Sequence, residues 1–166
     1  MMKLKKSFYQ QNTLKIARLL LGCILVHESE EGITSGMVIE TEAYLGTTDK
    51  ASHSYGGRHT PRMDPLYKRG GYAYIYQLYG HNYCLNVVTE DEDHPRAVLI
   101  RALEPVEGAK LMLNRRGILN FPSKNRVLRD NPVYKLKNLT NGPSKLCQAM
   151  GIDARFNGID LLGDEL

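Results

Sequence analysis

Five consecutive residues, Glu40-Thr41-Glu42-Ala43-Tyr44, carry two carboxylates and a phenol at spacings of two. Residues two apart on a strand share a face. Strict alternation therefore puts Val38, Glu40, Glu42 and Tyr44 on one side, and Met37, Ile39 and Thr41 on the other. Paired acids suit any solvated strand. These, however, follow the apolar Met37-Val38-Ile39 and precede an aromatic residue and a long irregular segment. A carboxylate near a strand end, against an aromatic ring, can be desolvated and act as a general base. The second concentration is aromatic. Six of the ten tyrosines lie between Tyr67 and Tyr83, and Tyr72, Tyr74 and Tyr76 alternate. A packed ladder is one account of them. Three phenols on one face also need three hydroxyl partners, and flat rings on which nucleic-acid bases stack are the other account. Histidine and cysteine offer a third chemistry. His81 and Cys84 are spaced as in some zinc sites, with His53 and His59 nearby in sequence, but no second cysteine pair completes a set. The fourth feature is Asn141-Gly142-Pro143-Ser144-Lys145, where a Gly-Pro entering a helix leaves free N–H groups beside Ser and Lys. Helix N-termini attract phosphate; a plain helix start is the simpler reading. There is no GxSxG, no GxxxxGK[ST] and no dinucleotide fingerprint.

The elements that must position these residues are legible in outline. Asn12 is a candidate N-cap for a helix from Thr13 to Leu21, with Ile16, Leu19 and Leu20 on one face and Gly22 as its stop. Strands are predicted over Cys23–His27, Ile33–Tyr44, Tyr72–Leu78, Asn82–Thr89 and Ala97–Leu103. Between the second and third, Gly46 to Gly71 lacks periodicity and reads as a long loop, which inside a small domain is usually functional. Tyr79-Gly80-His81 is a turn. Pro105 is read as the first residue of a helix to Arg116, residues 120–141 as irregular and basic, and Pro143 to Met150 as a short helix closed by Gly151. Strands dominate the middle and helices flank them. The fold class is α+β, a single compact domain with a curved, largely antiparallel sheet.

Composition narrows the classes. The chain has 166 residues, which fits one domain. With 42% apolar and 24% charged residues it is globular material. No run of ~18 apolar residues offers a membrane span, and no signal peptide is evident. Three widely spaced cysteines, Cys23, Cys84 and Cys147, suggest a reducing, cytoplasmic setting with buried thiols. The net charge is +4, but unevenly spread: Lys110 to Lys145 holds nine Lys/Arg and one acid, Asp130. A basic strip suits a polyanion partner or a solvated loop about equally.

Taken together, these segments resemble the alkyladenine (3-methyladenine) DNA glycosylase family. The resemblance runs through Ala17-Arg18-Leu19-Leu20-Leu21-Gly22, Ile39-Glu40-Thr41-Glu42-Ala43-Tyr44-Leu45-Gly46, Ala51-Ser52-His53-Ser54, Gly56-Gly57-Arg58 and Thr60-Pro61-Arg62. It continues through Tyr74-Ile75-Tyr76, Tyr79-Gly80, Asn86-Val87-Val88, Ala97 to Pro105 and Gly142 to Ala149. The resemblance implies a monofunctional base-excision enzyme that needs no metal or other cofactor and acts as a monomer on double-stranded DNA containing alkylated purines. Such an enzyme flips the damaged base and hydrolyses its N-glycosidic bond. By matched position, Glu42 would activate water and Arg101 would help hold it. Tyr44 would stack on one face of the base, His53 and Tyr76 would close the other, and Ala51 and Asn86 would complete the pocket, Asn86 disfavouring the amine of normal guanine. Tyr79 would fill the gap left by the flipped nucleotide. Arg58, Thr60, Ser144 and Lys145 would contact the DNA backbone.

Two departures qualify the resemblance. His81 stands in the turn where relatives differ, and an aromatic residue or Met there would be more apolar. Relatives also continue past Asp160-Leu161-Leu162-Gly163-Asp164-Glu165-Leu166, so the expectation is one domain over 1–166 lacking the family's last strands. A catalytically impaired module that binds damaged DNA is the alternative. A zinc or RNA-binding protein built on the His and Tyr cluster is a third reading.

Overall fold

The computed structural model describes residues 3–118 and 138–166. Residues 119–137 hold five of the nine basic residues of the Lys110–Lys145 strip, so most of that strip, and most of the segment read as irregular, lies outside the described residues.

Two short helices open the chain, α1 (Lys6–Tyr9) and α2 (Thr13–Leu19). Asn12 caps α2 as expected, its side chain accepting from the N–H groups of Leu14 and Lys15. The helix ends two residues earlier than the apolar run suggested, and Leu19 is 45% exposed while Ile16 and Leu20 are buried. Among the described residues five strands follow: β1 (Ile24–Ser29), β2 (Gly32–Tyr44), β3 (Ala73–Gln77), β4 (Tyr83–Thr89) and β5 (Arg96–Glu107). They form one antiparallel sheet in the order β1-β2-β5-β4-β3. Helix α3 (Ala109–Arg115) and helix α4 (Pro143–Met150) come after the sheet. Architecture and class are those expected, α+β with helices flanking a hairpin-built sheet.

Pro105 does not start a helix. It lies inside β5, opposite Gly36 of β2, and the helix begins only at Ala109, after Gly108. Proline is tolerated in a sheet at an irregularity, and here the register shifts between Ser35 and Gly36. Gly36 is required by the same crossing, since a Cβ there would stand 2.9 Å from that of Leu103. The Gly46–Gly71 segment is not featureless either. It contains three 3-10 turns, over Gly46–Thr48, Tyr55–Gly57 and Pro61–Tyr67.

Alternation within the strands divides the core. One face carries Ile75, Leu85, Val87, Val98 and Ile100 and packs on α2, α3 and α4 through Ile16, Met112, Leu146 and Met150. The opposite face carries Tyr74, Val88 and Ala97 against Met63 and Leu66 of the third 3-10 turn. Strict alternation fails at one place. In β2 the register shifts on either side of Glu40, opposite Arg101 and Ala102 of β5. Val38 is consequently buried in the helix-side core with Ala43 packed against it, rather than sharing a face with Glu42. A bulge of this kind re-aims side chains locally. Here Glu40 and Arg101 both emerge on the exposed side.

Strand β3 is an edge strand, and the segment Asn157–Leu161 covers it. Gly158 N–H donates to Ala73 O, Ala73 N–H to Ile159 O, and Leu161 N–H to Gly71 O. The Asn157 side chain accepts from Ile75 N–H at 2.9 Å.

Candidate active site on the aromatic face of the sheet

Strand register aligns the site. Glu42 pairs with Leu99, Leu99 with Asn86, and Asn86 with Tyr74, so one row of side chains crosses four strands. Over this row lies the Gly46–Gly71 loop, fixed by its own polar groups. Asp49 accepts from the N–H groups of Leu45 and Ala51, and Ser54 donates to Pro95 O. Between loop and sheet is a cavity of about 120 Å³. Tyr44, Ala51, His53, Tyr76 and Asn86, the five residues expected to hold a base, all line it.

The acid stands at the margin. Glu42 Oε1 is 2.9 Å from Arg101 Nη1, and Glu42 Oε2 accepts from the Tyr44 hydroxyl at 2.8 Å. Arg101 also reaches Glu40, with Nε 3.4 Å from Oε2. The Glu42 and Arg101 side chains remain 39% and 46% exposed, so the pair adds little to stability. It fixes orientation instead. Each oxygen of Glu42 uses one lone pair on a protein donor and keeps another for solvent. Burial, reinforced by the hydrogen bond to Glu42 and by its charge, pushes the Tyr44 phenol up to about 12. Tyr44 therefore stays a donor at neutral pH.

The opposite wall is a histidine held among phenols. His53 Nδ1 is 3.0 Å from the Tyr74 hydroxyl, and its ring lies 3.8 Å from that of Tyr76 at a tilt of 37°. Burial pushes the Tyr74 phenol up to about 12. Burial also lowers His53 below its usual range, and the nearby Arg62 and Arg58 lower it further. A neutral imidazole tilted against one phenol, with a second phenol lining the same cavity, suits a flat ring. Asn86 is 7% exposed, and its Nδ2 donates to the carbonyls of Tyr74 and Cys84 at 3.1 and 3.4 Å.

The remaining expected residues lie outside this slot. Arg58 and Thr60 line an adjoining cavity of about 450 Å³ that shares His53, Tyr74 and Tyr76 with the first. Tyr79 projects from the β3–β4 turn, 78% exposed. That turn is braced: Gln77 and Asn82 side chains donate to Gly80 O and Tyr79 O, and Leu78 N–H to Asn82 O. Lys145 donates to Asn141 at 2.8 Å; burial raises the Cys84 thiol above its usual range, and the neighbouring Ser144 side chain partly offsets that. Arg115, from the basic strip, is occupied internally by Met150 O, Ser29 and Glu31. Sequence reading missed Arg62, whose guanidinium lies 4.7 Å above the Tyr76 ring, and Tyr74 as the partner of His53. The alternation of tyrosines signalled Tyr74; nothing local signalled Arg62. Among the described residues, no group of three or more His, Cys, Asp or Glu could hold a metal ion. Among them, too, no helix is long and apolar enough to cross a membrane.

An acid braced beside an aromatic slot on an antiparallel sheet has the chemistry to accompany a flat ring and to serve a hydrolytic or proton-transfer step. The family model for methylpurine-DNA glycosylase matches residues 7–166. The chain belongs to that family. A protein of Clostridium acetobutylicum named "Putative 3-methyladenine DNA glycosylase" is 50% identical over 165 residues, covering 99% of this chain and 77% of the relative. Proteins of the same name in Desulfitobacterium hafniense and Oceanobacillus iheyensis are 46% and 50% identical. These alignments cover 100% and 90% of this chain, and 78% and 67% of those relatives.

Proposed function

We propose that this protein is a DNA glycosylase of base-excision repair. It takes an alkylated purine, 3-methyladenine or a similar base, out of duplex DNA and hydrolyses its N-glycosidic bond, leaving an abasic site. One observation carries the reading: the Glu42 carboxylate is held by Arg101 and by the hydroxyl of Tyr44, whose ring lines the same slot as His53 and Tyr76.

The chemistry follows from those positions. Glycosidic cleavage develops positive charge on the sugar, and a nearby carboxylate both stabilises it and takes a proton from the attacking water. Alkylation at a ring nitrogen makes the base electron-poor, which favours its departure. An aromatic slot attracts such a base by ~0.5–2 kcal/mol of cation–π interaction. Tyr79, prominent on its braced turn, is suited to occupy the space that a flipped nucleotide leaves. Arg58 and Thr60, in the adjoining cavity, are suited to the strand's phosphates, as is Lys145 at the α4 start. Ser144 stands beside it in the first turn of α4.

The test is release of free 3-methyladenine from methylated duplex DNA by the parent and by Glu42→Gln. We expect release by the parent and a loss of at least a hundredfold in the variant, the range of a missing general base. Equal release by both would remove Glu42 from the reaction. Tight binding of lesion DNA by the parent without release would replace the catalytic reading with a damaged-DNA-binding module.

A further inference from the structure

Arg62 is a charged group beside the slot that the proposed reaction does not use. Its guanidinium lies 4.7 Å over the Tyr76 ring, and Tyr76 is also the ring against which His53 packs at 3.8 Å. The backbone that carries it is fixed. Its carbonyl accepts from Asn157 Nδ2 at 3.2 Å, and its neighbour Met63 is buried at the centre of the second core cluster. The side chain also faces the adjoining cavity with Arg58. No acid pairs with Arg62 among the ion pairs of the described residues.

A π-face attracts positive charge through its quadrupole, and a ring already carrying a cation attracts a second one less. The slot is lined by Tyr44 and Tyr76, both electron-rich, and Tyr44 is bonded to the Glu42 carboxylate. Left alone, that set strongly favours bases carrying positive charge over neutral ones. A guanidinium lying on Tyr76 opposes that bias, by polarising the ring and by direct repulsion across the wall.

We propose that Arg62 is a specificity-determining residue whose guanidinium, lying on Tyr76, offsets the slot's preference for positively charged bases and so keeps neutral purines competitive. The inference rests on the proposed function, since it names which bases that same slot admits. The surroundings of His53 fit it: Tyr74 and Tyr76 from β3 pack on the ring, and burial, with Arg62 and Arg58 from the loop, lowers the imidazole below its usual range, which disfavours a second cation in the slot.

The experiment compares single-turnover release of cationic 3-methyladenine and neutral hypoxanthine from otherwise identical duplexes at pH 7.5. The proteins are the parent, Arg62→Met, which keeps an apolar stem without charge, and Arg62→Lys, which keeps the charge. The quantity read is the ratio of the two rates, which a general loss of folded protein does not change. In Arg62→Met the ratio should rise roughly threefold towards the cationic base, the size of one exposed cation–π contact, and Arg62→Lys should stay near the parent. Both rates falling by one factor in Arg62→Met, with the ratio unchanged, would overturn the proposal and leave Arg62 a structural residue. Should the parent release neither base, the proposed function fails by itself. Equilibrium binding of the same two duplexes then decides: a binding ratio unmoved in Arg62→Met overturns the selectivity role, and a shifted ratio upholds it.

Discussion

Replacing Tyr44 with Phe removes one atom from the site and separates two jobs of that residue. The ring, which lines the slot, stays. The hydroxyl, which donates to Glu42 Oε2 at 2.8 Å, is lost. Glu42 keeps Arg101 but loses the contact that sets its second oxygen. Hydrogen bonds to charged groups contribute about 1.5–3 kcal/mol, and the half-exposed setting puts this one at the low end. If that orientation matters only when water attacks, about 1.4 kcal/mol is a tenfold slower step. Tyr44→Phe should therefore release 3-methyladenine about tenfold more slowly in single turnover, while its affinity for lesion duplex stays within twofold of the parent. Thermal unfolding should shift little, since the lost bond lies at a solvated margin. A variant with the parent's rate would show that the hydroxyl does not position Glu42. A variant whose affinity and rate fell together would show that Tyr44 acts through base binding alone, and the argument from hydroxyl geometry would be wrong.

Two further outcomes follow from other parts of the molecule. Burial alone would raise the Glu90 carboxyl, but the Thr13 hydroxyl, the Thr13 N–H and Arg96 outweigh it and hold Glu90 below its usual range. A depressed carboxyl stabilises the fold above its unfolded-state value and loses that contribution as pH falls. Denaturant midpoints should thus drop between about pH 5 and 3 more steeply in the parent than in Glu90→Gln, and parallel slopes would refute the assignment. Tyr79→Ala should leave the unfolding midpoint within about 0.5 kcal/mol of the parent, as for exposed positions, yet weaken binding to lesion duplex; unchanged binding would remove Tyr79 from the DNA face.

Much of the site was legible because its residues sit on locally patterned segments. Glu42 and Tyr44 lie two apart on a strand, Tyr74 and Tyr76 likewise, and those spacings survive folding. The α4 helix, with Pro143 at its first turn and Gly151 as its left-handed stop, was equally local. What escaped depended on partners far along the chain. The break in step at Ile39 and Glu40 exists only against Arg101 and Ala102, so alternation misplaced Val38. Pro105 has good helix-start chemistry but is claimed by pairing with β2. Charge counting could not tell Arg115, enclosed by Met150, Ser29 and Glu31, from a solvent-facing base. Nor could it see that Arg62 settles on Tyr76.

The cover over β3 has a consequence for how the molecule is made. The strand that bears Tyr74 and Tyr76 is sealed along its outer side by Asn157–Leu161, about 80 residues later in the chain. At ribosomal speeds of roughly 5–20 residues per second, that cover arrives some 4–17 s after the strand itself. Through that interval the aromatic strand presents bare N–H and C=O groups along one side, the template on which strands of separate chains join. The wall of the slot is thus also the part of the nascent chain most exposed to mispairing, and growth temperature and holding chaperones should influence the yield of soluble protein more than they influence the finished fold.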